Sequence, residues 1–142
     1  MWLSGVSLAT WFLLQDHPLK KDPYQCGLYF GGKPIAKAKA KPTLTAFRFP
    51  FVAYRHGGTI SLWGRDATSD KRLVTIQLRH GTGGSWQTIA RIRSNLYGIF
   101  LENLRIASEP TDWLRALAPG SGKSLAFSLT QPVYPHIGPW GN

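Results

Sequence analysis

Leu73-Val74-Thr75-Ile76-Gln77-Leu78-Arg79-His80 is the stretch that decides the fold. Val74, Ile76 and Leu78 alternate with Thr75, Gln77 and Arg79. That is the period of a strand with one buried and one wet face. The glycine-rich run His80-Gly81-Thr82-Gly83-Gly84-Ser85 reads as a hairpin turn. Trp86 to Arg93 then returns, with Trp86, Thr88, Ala90 and Ile92 assigned to one side. Upstream, from about residue 51, the same period holds: Ile60 and Leu62 share one face of 59–65, and Ser61, Trp63 and Arg65 the other. Downstream, Asn95-Leu96-Tyr97-Gly98 turns the chain into a strand over 99–106. A less regular segment follows over 112–118, and a last strand over 124–130 is expected to point Leu125, Phe127 and Leu129 inward. Six or seven short antiparallel strands with regular turns predict a mainly β chain folded as an antiparallel β-sandwich. Fifteen glycines and ten prolines favour such a turn-rich fold over long helices.

The 142 residues suffice for one domain, or a small domain with an extra segment. Seventeen Lys and Arg against seven Asp and Glu give a net charge of +10, which favours acidic partners such as anionic glycan, nucleic acid or a membrane surface. Cys26 is the only cysteine, so intrachain disulfides and cysteine-based metal sites are excluded. The apolar run Trp2 to Leu14 has the length of a signal-peptide core. No Lys or Arg precedes it and no small-x-small cleavage site follows, so no signal peptide is expected. It is also shorter than the ~20 residues that span a bilayer.

Three parts are expected. Residues 1–50 hold an apolar segment over 7–17 that turns polar at its end, as a buried parallel strand does when it delivers side chains to a site. A lysine-rich, low-complexity stretch at 31–41 reads as a solvated connector, and Pro42 opens a short helix with Leu44 and Phe47 on one face. Residues 51–131 form the sandwich. Residues 132–142, with three prolines and Trp140, read as an irregular tail.

Little catalytic chemistry is visible. Asp66 and Asp70 flank a turn, Glu109 and Asp112 bracket Pro110, and Glu102 reads as a solvent-face partner of nearby arginines, so no carboxylate pair stands out for acid–base work. His17, His56, His80 and His136 are too scattered for a metal site. Pro119 to Ser124 lacks the spacing and the following helix of a phosphate loop. No cofactor or metal is expected. Trp11, Gln15 and Asp16, followed by His17, form the one cluster with functional character, since a flat indole can meet a sugar ring and the polar residues follow at the strand end.

Leu8-Ala9-Thr10-Trp11-Phe12-Leu13-Leu14-Gln15-Asp16, Tyr24-Gln25-Cys26-Gly27-Leu28-Tyr29 and Lys41-Pro42-Thr43-Leu44-Thr45-Ala46-Phe47-Arg48-Phe49-Pro50 occur in that order. Together they resemble the C-terminal end of a cellulase-superfamily (β/α)8-barrel glycoside hydrolase: last strand, a "GLY" stretch, and the opening of the last helix. The segment from Thr59-Ile60-Ser61-Leu62-Trp63-Gly64-Arg65 through Trp86-Gln87-Thr88-Ile89-Ala90 to Asn95-Leu96-Tyr97-Gly98-Ile99-Phe100 looks like the accessory bacterial Ig-like sandwich that follows such barrels. The resemblance implies an extracellular or cell-surface bacterial parent that cuts O-glycosidic bonds of polysaccharide. It makes Trp11 the sugar-stacking residue, with Gln15 and Asp16 beside the substrate. The family's acid/base and nucleophile glutamates would precede Met1. Retaining hydrolysis needs two carboxyl groups about 5 Å apart, so the resemblance implies a non-catalytic portion of the enzyme. The alternative is a free-standing Ig-like module that binds anionic glycan or protein through Trp63, Arg65, Arg79, Arg91, Arg93 and Arg105. Nucleic acid is the weaker expectation, for lack of aromatics interleaved with the basic residues.

Overall fold

A computed structural model describes residues 10–18, 20–21, 25–68 and 70–130. The chain divides into two compact units, Met1–Phe47 and Arg48–Asn142.

The second unit contains β1 (Phe51–His56), β2 (Thr59–Arg65), β3 (Leu73–Arg79), β4 (Gln87–Arg93), β5 (Ile99–Arg105), β6 (Trp113–Ala118), β7 (Gly122–Lys123) and β8 (Phe127–Ser128). One sheet has the order β1-β2-β5. The other has the order β4-β3-β6-β7, with β8 also paired to β6. Every pairing between these strands is antiparallel. The expected sandwich-like, mainly β architecture is therefore present.

The alternation read from sequence builds the core. Ile60 and Leu62 of β2, Val74, Ile76 and Leu78 of β3, and Leu114 and Ala116 of β6 are buried together with Phe49, Phe51 and Phe100. Each large side chain removed from water contributes roughly 1.5–3 kcal/mol. Phe100 packs edge-on to Phe49 and stacks on Phe51, both at 6.3 Å. It also lies opposite Gly64 in the β2–β5 register. A Cβ at Gly64 would collide with the Phe100 ring, so glycine is what lets that ring sit flat on the sheet.

Three details differ from the sequence reading. In β4, Ile76 pairs with Ala90 but Gln77 pairs with Thr88, so Ile89 is an extra residue and the register shifts. The bulge keeps Ala90 and Ile92 inward and turns Thr88 and Trp86 to the opposite face. In the expected strand 124–130, only Phe127–Ser128 is strand, and Leu125 is exposed. The Ser124 N–H donates to the Ala116 carbonyl at 2.9 Å, but its hydroxyl accepts the Ala116 N–H at 3.0 Å and donates to the Leu125 carbonyl, so a side chain takes one ladder position. In the N-terminal segment, residues 10–17 pair only at Gln15, which bridges Tyr29 in parallel. Phe12 and Leu14 face solvent there. The part of that expected strand before residue 10 lies outside the described residues, as do the 132–142 tail and Trp140.

In the first unit, segments 14–16, 28–30 and 39–41 meet at Tyr29, which bridges Gln15 on one side and Ala40 on the other. A 3-10 turn spans Ile35–Lys37, and helix α1 (Pro42–Arg48) starts at the proline expected to open it.

Gly64→Ala is expected to lower unfolding stability by about 1–3 kcal/mol in urea titrations, the cost of forcing atoms into a filled core. Gly58→Ala, which adds a methyl in open space, stays within about 0.5 kcal/mol of the parent.

Candidate functional site

The sequence-predicted cluster is built into the first unit by its own contacts. The Trp11 indole N–H donates to the Cys26 carbonyl at 2.6 Å, and the ring packs edge-on to Phe47 at 5.6 Å. The Gln15 amide donates to the carbonyls of Phe30 and Lys33 at 3.0 and 2.7 Å. The Asp16 carboxylate is buried, 2.6 Å from Lys41 Nζ, and accepts the Gly27 N–H at 2.9 Å. Lys41 also donates to the Gln25 carbonyl, so Lys41 is tied down rather than solvated.

Glycine makes this approach possible. A Cβ at Gly27 would lie 2.5 Å from the Asp16 nitrogen, and one at Gly31 2.6 Å from the Asp16 carbonyl oxygen. The hydrogen bond to Lys41, then the Gly27 N–H and the ammonium charge, outweigh burial and hold the Asp16 carboxyl below its ordinary range. The structure thus brings Trp11, Gln15 and Asp16 into one locality, with their polar atoms engaged by the unit itself.

A second arrangement arises on the outer face of the β4-β3-β6-β7 sheet. Because Val74, Ile76 and Leu78 point inward, Leu73, Thr75, Gln77 and Arg79 point outward. Register sets Arg93 beside Leu73, Arg91 beside Thr75 with Leu117 on its other side, and Lys123 beside Leu117. Arg115 lies beside Gln77, and Trp113 beside Arg79. None of these four strands contains an Asp or a Glu. Leu73, Thr75, Leu117, Ala118, Pro119, Gly122 and Lys123 line a shallow, open depression of about 560 Å³ on this side.

At one end of the face the Trp86 indole gathers two guanidiniums. Arg115 Cζ lies 4.1 Å and Arg79 Cζ 4.8 Å from its centroid, and Arg79 is also 5.8 Å from the Trp113 ring. Each such contact contributes about 0.5–1 kcal/mol, more where water is excluded. Arg115 Nε donates to Gln77 Oε1 at 2.9 Å. Arg79 Nε is buried without a hydrogen-bond partner. Burial, then the charge of Arg79, lower the Arg115 pKa.

The six outward residues expected to bind divide between sheets. Arg79, Arg91 and Arg93 share this face, whereas Trp63, Arg65 and Arg105 belong to β2 and β5. Arg65 donates to the Tyr97 carbonyl. Glu102 pairs in register with Leu62, off the outer face of Trp63 and Arg65, and accepts the Asn103 N–H. Arg115, Lys123, Trp86 and Trp113 were not anticipated. The alternation of Trp113, Arg115 and Leu117 carried a readable signal, but Trp86 was masked by the bulge.

The acids serve turns. Asp112 Oδ1 lies 2.9 Å from His80 Nδ1 and Oδ2 accepts the Glu109 N–H at 2.8 Å, bracing the loop before β6. Asp66 accepts from the Thr68 hydroxyl and N–H and from the Ser121 hydroxyl. Among the described residues no group of three His, Cys, Asp or Glu side chains could hold a metal, and no helix is long and apolar enough to cross a membrane. No protein-family model matches the chain, and no curated protein matches it.

The low Asp16 pKa fixes a sign. Its stabilisation is fully present above the ordinary carboxylate pKa near 4 and is lost as pH falls through the folded-state value. Hydrogen exchange at the Leu28 and Tyr29 amides, which donate to the Leu14 carbonyl, should stay slow at neutral pH and lose protection on acidification. Asp16→Asn is expected to show reduced protection at neutral pH and to abolish that acid transition.

Proposed function

We propose that the chain is a non-catalytic binding module that takes anionic glycan on the outer face of its second sheet. One observation carries this reading: Arg79, Arg91, Arg93, Arg115 and Lys123 share a sheet face with two tryptophans and no carboxylate. Like charges crowded on one side of a sheet are unfavourable on their own account. A polyanion laid across the strands supplies the missing charge, and the depression along Leu73, Thr75 and Leu117 offers apolar surface to a sugar's C–H face.

The strand order supports an Ig-like identity. The first, second and fifth strands form one sheet, and the fourth joins the third beside the sixth in the other, as when a variable-type domain extends its C–F–G sheet. The resemblance of residues 5–50 to the end of a barrel hydrolase supports a setting in which this module accompanies a polysaccharide-cleaving enzyme. In that setting the catalytic glutamates belong to the parent, and Trp11, Gln15 and Asp16 stand at the edge of its substrate cleft. The exposed Phe12 and Leu14 are what an enclosed strand would present to its neighbours.

Binding of the full chain to a sulfated glycosaminoglycan, a polyuronate and a neutral β-glucan, followed by calorimetry, tests the reading. The two polyanions should bind, with affinity falling at least about tenfold between roughly 50 and 200 mM salt as screening lengths shrink. The double substitution Arg91→Glu, Arg93→Glu should weaken them by at least about tenfold, on the scale of charge complementarity across an interface. Equal binding of the neutral glucan, or indifference to charge reversal, overturns the proposal.

A further inference from the structure

We infer that Arg79 and Arg115, held by Trp86, form a site for a tetrahedral oxyanion ester, so that on an anionic glycan the module selects sulfate over carboxylate groups. This inference rests on the anionic-glycan reading and narrows it to one pair of side chains.

The argument begins with what each guanidinium has already committed. Both lie against the same indole ring, at 4.1 and 4.8 Å. Arg115 spends its Nε on Gln77. The Arg79 Nε is buried and unpartnered. Among the described residues, none accepts a hydrogen bond from the terminal nitrogens of either side chain, and no carboxylate pairs with either. Arg91, Arg93 and Lys123 are exposed, long side chains with no fixed contact among the described residues. The Arg79–Arg115 pair is therefore the part of the face that is ordered before a ligand arrives, and preorganised groups lose less entropy on binding.

Chemistry then chooses the ligand. A guanidinium offers a planar fork of donors, and one fork satisfies the two oxygens of a carboxylate. A carboxylate presents one such fork-matched edge, so a second guanidinium reaches it only through single hydrogen bonds. A sulfate or phosphate monoester presents three terminal oxygens and can engage both. Such a group also sets negative charge between two cations that otherwise repel. Trp86 acts as a positioning residue: it touches the arginines and fixes their planes.

Two charge-matched double substitutions separate this site from the face as a whole. In Arg79→Gln, Arg115→Gln, affinity for the sulfated glycosaminoglycan should fall at least tenfold, and the preference over polyuronate should vanish. In Arg91→Gln, Arg93→Gln, both polymers should weaken alike and the preference should survive. Trp86→Leu, which leaves every charge in place, should lose the preference, while Trp86→Phe, which keeps an aromatic face, should retain it. If the two double variants behave alike, or Trp86→Leu keeps the preference, the paired site is overturned while the glycan reading stands. If the unaltered chain binds neither polyanion, the glycan reading itself fails. A phosphate-monoester glycan that binds like the sulfated one supports the site and identifies phosphate as a second source. Tighter binding of single-stranded DNA than of either glycan at equal salt overturns both readings, since a phosphodiester offers only two terminal oxygens.

Discussion

The second sheet turns on a single irregularity: Ile76 meets Ala90, yet its neighbour Gln77 meets Thr88. A regular ladder would send Trp86 to the same side as Ala90 and Ile92, into a space that Phe100, Leu114 and Ile76 already fill. Interiors packed at crystal-like density do not absorb an extra indole. The extra residue, Ile89, releases that conflict. Ala90 and Ile92 stay in the core, Ile89 is partly buried against it, and Trp86 crosses to the outer face where two arginines cover it. The bulge that lets the core close is thus the same feature that assembles the cationic aromatic cluster. Bulges commonly re-aim side chains at functional positions, and here the re-aimed residue is the ring that both guanidiniums share.

The first unit depends on a different device. Three segments meet with one bridge on each side of Tyr29, too few ladder bonds to hold extended chain together. Asp16 compensates by gathering a backbone N–H and an ammonium from two other segments. The same residue's N–H donates to the Tyr29 carbonyl. Two glycines, at 27 and 31, let backbone pass within contact distance of it. Lys41 closes the arrangement from the end of a stretch whose composition reads as a solvated connector. A charge buried with its partner and a backbone donor is costly to break on either side, which explains how so little regular structure becomes a compact unit.

How much of this was legible follows from what each signal measures. Period-two alternation reports which side of a strand is apolar, and it identified β2, β3 and the inward rows of the core. It cannot report a register shift, because a bulge changes the partner and leaves the sequence pattern plausible; Trp86 was assigned to the wrong face for that reason. Strand 124–130 failed because Ser124 satisfies the backbone of Ala116 with its hydroxyl, a choice invisible in hydrophobicity. The turn roles of Asp66, Asp112 and Glu109 were readable, since short acids at turns act through local hydrogen bonds. The functional face was half readable. Arg79, Arg91 and Arg93 alternate with core residues, but their coincidence with Arg115 and Lys123 requires knowing that β6 and β7 lie beside β3. The Trp11, Gln15 and Asp16 cluster was found as a locality, while its partners, Cys26, Lys33 and Lys41, are distant in sequence and left no local trace.

The placement of acids, more than the number of bases, defines the outer face. The chain has seven carboxylates against seventeen Lys and Arg. Three of the seven, Asp16, Asp66 and Asp112, are buried and engaged with Lys41 or with turn groups. Asp70 lies 3.7 Å from Arg72, at the loop leading into β3. Those that order the fold are thus withdrawn from the surface, and none lies on the strands that carry Arg79, Arg91, Arg93, Arg115 and Lys123. Among the described residues, no carboxylate pairs with those cations. The proposed polyanion would meet that charge, and the strand register sets the spacing of the positive groups along the face.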